Sequence, residues 1–581
     1  MPDNNAVGSR VLLGSCFAVL LAFSGIASCG SGGSTVTSTP KSLPPLDFSA
    51  TIASVQAAWA AEPYQTGTIH YYCDCGTGAE PGCVVGNNNN SGLTTALPRR
   101  TIQQAQTDFA SLSAGDTIAL CKGGAFGISS ALTTFGSIGR CADTIACNDV
   151  REYTPTTFTG AAGSAKPIIY AASGIGSIFE FSGRGGVRIL NLSLHGNGIT
   201  TDIILTYNQA KDIIIANNDI DGATNAGVDM NPHPVPTPAW TASQLRMTVV
   251  GNNITNNTVH GMYGGANSYT FSYNNMLNNG NDNQFDHQIY LGNADSMELY
   301  DFQIVGNYIY GSSVPTCDGG IIIAHGNLTN ILIANNWLEI PGAKTSNCYG
   351  ISLNNYGGYP APRHFRNVEI SGNVIINSES RGITTAESPN AIIENNVIIY
   401  TSSSSEYYAI YAGEHARTTT ADDLNTANVI RNNTVYFGPG VTGNAKYGVA
   451  VRIEGTGHIV SNNVVYSAAT SGTQLDCFYY PLSLASYNFI NNNQCDTAGA
   501  AYVWELTHGA TLAAWQNYTS NYGFDANSIS GSDPLFTNAP TDFKPAAGSP
   551  LIGAGNNISM STLDKTGKAR SNPPAIGAYE P

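Results

Sequence analysis

Charge is what this chain has least of. Across 581 residues only 11% are Asp, Glu, Lys or Arg, and 24 basic side chains face 40 acidic ones, for a formal net charge of −16. Binding to a phosphate backbone rests on clustered Lys and Arg, and no such cluster occurs, so a nucleic-acid partner is excluded. Long apolar runs are also missing, apart from the N-terminal "VLLGSCFAVLLAFSGIASC". That run is too short and too full of small residues for a comfortable membrane-spanning helix. Motifs for a nucleotide loop, a haem or a structural zinc are absent as well. With so few charges, the surface must be covered by Asn, Ser, Thr and Tyr, and the 63 glycines fit a chain of many turns.

What is present is repetition. At this length the usual prior would be three or four domains, but that prior fails for repeat proteins. From about residue 187 a β-branched run, an Asn and a second aliphatic run recur, as in "DIIIANNDI", "MTVVGNNIT", "YTFSYNNML", "FQIVGNYIY", "ILIANNWLEI", "VEISGNVII", "AIIENNVII", "NVIRNNTVY" and "HIVSNNVVY". One Asn from each gives Asn218, Asn253, Asn275, Asn307, Asn336, Asn373, Asn396, Asn433 and Asn463. The shortest separation sets a coil of about 22 residues, and the longer ones are that coil with a loop inserted. Helical periodicity does not fit, because apolar residues alternate and break at Asn or Gly. A coil of three short strands cannot bury its inner face alone, so it stacks on the next. Asn tolerates left-handed bends, and identical Asn side chains at strand spacing hydrogen-bond to one another. The expected architecture is all-β: a right-handed parallel β-helix of roughly ten or more coils, about 4.8 Å each.

The N-terminal run ends in Ile26-Ala27-Ser28-Cys29, which resembles the lipobox of bacterial lipoproteins. The resemblance implies cleavage before Cys29, lipid attachment to it and a flexible tether, "GSGGSTVTSTPKSLPP"; a plain secretory signal is the alternative. Gly30 after the cysteine implies the outer membrane. Export agrees with the other cysteines. Setting aside Cys16 and Cys29 leaves an even set suited to disulfides in an oxidising compartment. Cys317 with Cys348 and Cys477 with Cys495 are the expected pairs; connectivity among Cys73, Cys75, Cys83, Cys121, Cys141 and Cys147 stays open. The chain divides into a signal peptide (1–28), an anchored linker (29–66), a cap with first coils (67–186), the solenoid core (187–500) and closing coils (501–581).

"RRTIQQAQTDFASLSAGDTIALCKGGAF" reads as an amphipathic helix capped by Thr101, then a first strand. With the coils and the closing "DFKPAAGSPLIGAG" and "AIGAYE", it resembles the opening and ending of the secreted right-handed parallel β-helix superfamily that includes pectate lyases, alginate lyases and alginate C5-epimerases. The resemblance implies a monomeric protein whose partner is a polysaccharide.

Aligning the strand that follows each inserted loop gives "AGVDMN", "HGMYGG", "HQIYLG", "GGIIIA", "YGISLN", "RGITTA", "YAIYAG" and "YGVAVR". The third and fifth positions are mainly apolar and point inward, leaving the fourth outward. That fourth position reads Asp229, Tyr263, Tyr290, Ile322, Ser352, Thr384, Tyr411 and Ala450. The first position stacks His260 on His287, with Arg381 farther along, and the one before it carries Asp286 and Asp318. Asp286, His287, Tyr290, His260 and Tyr263 are the candidate catalytic residues; Asp229, Asp318, His325 and Arg381 are candidate substrate contacts. The bland reading is a ladder of stacked tyrosines with an Asp-His pair fixing a turn.

These residue types suit β-elimination on a uronate. Arg381 or a bound Ca²⁺ neutralises the carboxylate, His287 or His260 removes the C5 proton, and Tyr290 or Tyr263 protonates the departing O4. A tyrosine–histidine pair recurs in alginate lyases and epimerases. "VDMNPHP" is loosely similar to the epimerases' Asp-Pro-His motif, with Asp229 and His233 further apart, and "FDHQ" faintly resembles a pectate lyase Asp-His element; that family's catalytic-arginine signature is not evident. Two other readings remain open. An inverting hydrolase would place two of Asp229, Asp286 and Asp318 across a sugar, and a non-catalytic surface lipoprotein would bind glycan through its 30 tyrosines. Glu387, Glu414 and Glu454 each follow a strand and fit turn caps.

Overall fold

The computed structural model describes residues 46–136, 146–158, 163–208, 210–230, 246–280, 285–292, 298–311, 319–340, 348–355, 363–378, 380–402, 407–413, 422–441, 446–451, 455–469, 475–497, 502–504, 507–558 and 560–581. Their strands form the right-handed parallel β-helix that the repeat predicts. One sheet of 14 strands runs from Ile69–Tyr72 to Tyr487–Asn491. A second ladder carries three-residue strands such as Asn253–Thr255, Asn275–Leu277 and Tyr308–Tyr310. A third carries the loop-flanked strands, among them His260–Gly264, His287–Leu291 and Gly319–Ala324. The long strands Ser193–Tyr207 and Asp219–Met230 pass through both. Every coil sends Ile, Val, Leu, Phe or Met into one continuous core.

Asparagine divides its two tasks between neighbours. In the pairs Asn217–Asn218, Asn395–Asn396 and Asn462–Asn463 the first residue takes the left-handed backbone of the bend (φ 52°, 57° and 57°). The second points inward and joins a ladder. Asn218 donates to Asn252 at 3.1 Å, Asn252 to Asn274 at 2.9 Å and Asn274 to Asn307 at 3.1 Å, and the chain continues through Asn336, Asn373, Asn396, Asn433, Asn463 and Asn493. Each side-chain oxygen also accepts the backbone N–H of the preceding rung, as Asn252 does from Asn218 at 2.9 Å. The register therefore corrects Asn253 and Asn275: those residues begin the next strand and are half-buried, while Asn252 and Asn274 are the fully buried rungs.

Both ends are covered. The helix Ile102–Phe109 has Thr101 as its N-cap, the hydroxyl accepting from Gln104 N at 3.2 Å, and buries Ile102, Ala105 and Phe109. Phe109 meets Phe135 edge-on at 5.1 Å. At the far end Trp515, on the helix Leu512–Tyr518, stacks on Tyr502 at 5.4 Å. The final segment folds back along the outside, where Ala578 N donates to Thr434 Oγ1 at 3.0 Å and Arg570 to Asn395 at 2.7 Å. One element differs from the expected linker: Leu46–Ala60 is a helix, with Val55 and Trp59 packed on Leu190, Ala216 and Val250. Its apolar residues find a partner only on the folded coils, so its own sequence gives little sign of it.

Disulfides join Cys73 to Cys121, Cys75 to Cys83 and Cys477 to Cys495. Cys147 and Cys348 are also disulfide-bonded. Cys29, Cys141 and Cys317 lie outside the described residues.

Candidate functional site

The third sheet lines up two outward columns. The first reads Ser177, Asp202, Ala226, His260, His287, Gly320, Tyr349, Arg381, Tyr408, Tyr447 and Asp476. The second reads Glu180, Leu205, Asp229, Tyr263, Tyr290, Ile323, Ser352, Thr384, Tyr411, Ala450 and Tyr479. Two corrections follow. Ile323, not Ile322, lies beside Tyr290, because Ile289 pairs with Ile322. Gly319 rather than Asp318 is then the counterpart of Asp286; Asp318 itself lies outside the described residues, as does His233.

Simple alternation would send His260 inward, three positions from an outward Tyr263. The strand bends instead at Gly261. A Cβ there would come 2.4 Å from Met276 Cε and 2.8 Å from Gln288 O, so this position turns into the coil. Gln288, its counterpart in the next coil, is buried and donates to Gly311 O and to Asn279 O. Met262 and Ile289 follow, also inward and fully buried. Two consecutive inward positions bring the flanking residues back to one outer side.

The result is a block of four rings. His260 stacks on Tyr263 at 5.1 Å and on His287 at 5.7 Å; His287 stacks on Tyr290 at 5.5 Å, and the two tyrosines on each other at 5.3 Å. His325, buried and bonded through Nδ1 to Asn354 O, lies 5.4 Å from Tyr290. Asp286 is buried beside His287.

Hydrogen bonding assigns the two histidines opposite tautomers. His287 Nδ1 lies 2.8 Å from Gly320 O, a carbonyl that only accepts, so the ring proton sits on Nδ1 and Nε2 keeps a lone pair. His260 Nδ1 accepts the His287 backbone N–H at 3.3 Å, shared with Val259 O at 3.2 Å, so its proton sits on Nε2. Burial holds both rings neutral, lowering His260 to about 4 and His287 to about 3. The pair offers one acceptor and one donor.

Next to Tyr263 stands Asp229, only 5% exposed, with an Oδ1 that has no hydrogen-bond partner among the described residues. Burial, with Asp202 nearby, raises its pKa to about 8, and Asp202 is itself raised to about 6. At neutral pH Asp229 therefore carries a proton. Asp202 was missed from sequence; "DIILTY" from Asp202 continues the aligned segments one coil earlier and would have shown it.

Arg381 belongs to a different part of the face. Three strand spacings, about 14 Å, separate it from His287 along the axis. Its guanidinium donates to Tyr349 Oη at 2.9 Å and lies 4.8 Å from the Tyr411 ring. Tyr408, Tyr411, Tyr447 and Tyr479 continue as a buried aromatic cluster. Among the described residues, no group of three or more His, Cys, Asp or Glu is placed together as metal ligands.

No family of known sequence matches the chain, and no curated protein matches it. Among solved structures, the pectate lyase Pel9A is 13% identical over 89% of this chain and 97% of that one, with a TM-score of 0.33. XylC, solved in complex with xylose, is 10% identical over 88% and 98%, at 0.39. The Dettilon tailspike protein is 12% identical over 70% and 68%, at 0.35. At these identities and TM-scores the architecture rests on the chain's own strand pairing.

Proposed function

We propose that this protein cleaves an acidic polysaccharide by β-elimination on the histidine–tyrosine face. The observation that carries the reading is the His260/His287 pair in opposite tautomers, stacked against two tyrosines. His287 Nε2 takes the C5 proton of a uronate, the C4–O4 bond breaks as the C4–C5 double bond forms, and Tyr290 gives its phenolic proton to O4. His260 Nε2–H donates to the uronate carboxylate as charge builds on it. Protonated Asp229 is a further neutral donor toward an anion. An anionic sugar beside the ring favours the imidazolium and raises the His287 pKa. The uronate thus makes its own base.

One observation favours a second reading. A carboxyl group that burial keeps protonated at neutral pH, as at Asp229 with its pKa raised to about 8, suits the general acid of an inverting hydrolase. Products separate the two, because only a lyase makes an unsaturated uronate. Absorbance near the roughly 235 nm band of that product, with a panel of uronate polymers, with and without Ca²⁺, and beside His287→Ala, is the test. A rise lost in the variant supports the lyase. New reducing ends without absorbance support the hydrolase, altered uronate stereochemistry alone a C5-epimerase, and binding without turnover a glycan-holding role. We place the protein as a monomer on the outer membrane through a lipid on Cys29; release from membranes in Cys29→Ser tests the anchor.

A further inference from the structure

Ser193, His195 and Asp221 form a second constellation, on the second sheet and sharing no residue with the histidine–tyrosine site. Leu194 and Ile220 point into the core, fully buried, so Ser193 and His195 face outward on one strand and Asp219 and Asp221 on the next. The register pairs Ser193 with Asp219 and His195 with Asp221. Ser193 Oγ lies 2.9 Å from His195 Nε2, and His195 Nδ1 bonds Asp221 Oδ1. The carboxylate fixes the proton on Nδ1, so Nε2 turns a lone pair to the hydroxyl. This is the bonding order of nucleophile, base and orienting acid. A cation is close by: Ser193 N–H donates to Pro167 O at 3.0 Å, and the preceding Lys166 reaches Asp219 Oδ1 at 3.1 Å.

We propose that Ser193 is the nucleophile of a separate hydrolytic activity toward small acyl esters, of the kind that decorate glycan hydroxyls. Ser193 Oγ attacks the ester carbonyl while His195 Nε2 takes its proton; the tetrahedral adduct expels the sugar oxygen, which leaves with that proton. Water, deprotonated by His195, then cleaves the acyl-serine, releasing the carboxylic acid and restoring the hydroxyl. Exposure sets the acyl size. The His195 and Asp221 side chains are 32% and 35% exposed, but Ser193 only 9%, so its hydroxyl is reached beside the imidazole by groups of acetyl size.

The test uses the full chain, a fluorophosphonate probe with peptide mapping, p-nitrophenyl acetate, and an O-acetylated uronate polymer. The expected results are an adduct on Ser193, acetate release from both esters, and at least about a hundredfold loss of hydrolysis in Ser193→Ala and Asp221→Asn at unchanged Tm. An unmodified Ser193 in the wild-type protein overturns the proposal without reference to any variant. Hydrolysis that survives in Ser193→Ala overturns it too, and cleavage of the p-nitrophenyl ester alone overturns the glycan assignment. Ser193→Ala leaves any 235 nm signal untouched, so this proposal and the lyase reading fail separately.

Discussion

At the scale of single residues, burial and hydrogen-bond direction decide what each ionisable group offers. In the proposed lyase mechanism His287 Nε2 is the base, so His287→Asn should lose turnover as fully as His287→Ala, about 10²–10⁴-fold; the amide can still face Gly320 O but has nothing at the Nε2 position. Activity retained in the Asn variant, measured at 235 nm, would move the base elsewhere. The same groups shape stability against pH. His260 and His287 titrate at about 4 and about 3 when folded, against 6.5 when unfolded. Above pH 6.5 both states are neutral and nothing is lost. Below it the unfolded chain binds protons that the folded chain refuses, so stability falls between pH 6.5 and about 3. Asp229 runs the other way: its folded value of about 8 exceeds 3.8, so its burial weakens the fold progressively as pH rises from about 4 to 8. Thermal unfolding of Asp229→Asn across that range should show a higher Tm than wild type at pH 8 and little difference at pH 4.

At the scale of the coil, the asparagine ladder is a stack of buried amides, each bonded both to the next side chain and to backbone. Asn336→Ala removes a donor to Asn373 and Ile304 O and an acceptor for Asn307. Leaving those groups unpaired should cost about 2–4 kcal/mol in denaturant unfolding. Its neighbour Asn335, at φ 54°, performs only the bend, so Asn335→Gly should change stability by a few tenths at most. The repeat itself was legible, because an apolar–Asn–apolar period needs no partner to be read. Which Asn of each pair is the rung was not, since "GNN" and "YNN" fit either register until the coils stack. The same one-residue ambiguity in "CDGGIIIA" misplaced Ile322: a run of three isoleucines has no polar residue to mark which side faces out.

At the scale of the molecule, a solenoid depends on what closes its ends. Trp515 and the Cys477–Cys495 bridge secure the last coils. Replacing both cysteines by serine should cost about 3 kcal/mol by the entropy of a closed loop of this length, with calorimetry showing the loss. The opening helix was readable from Thr101 and its amphipathic spacing. The helix Leu46–Ala60 was not, because its hydrophobic face is defined only by Leu190, Ala216 and Val250 on three successive coils.

Sequence alone determined the architecture, because a coil-length period in β-branched residues and asparagine can satisfy its backbone and bury its apolar side in only one way. It also brought His260, His287, Tyr263 and Tyr290 to one face, since residues at matching places in successive coils must stack. Only the tertiary structure decided what those residues can do. Tautomers follow from Gly320 O and the His287 N–H, the state of Asp229 from its burial and from Asp202, and the remoteness of Arg381 from a count of stacked strands. Ser193, His195 and Asp221 make the same point: two residues on one strand and a third 26 positions from His195 meet only because one coil is laid in register upon the next.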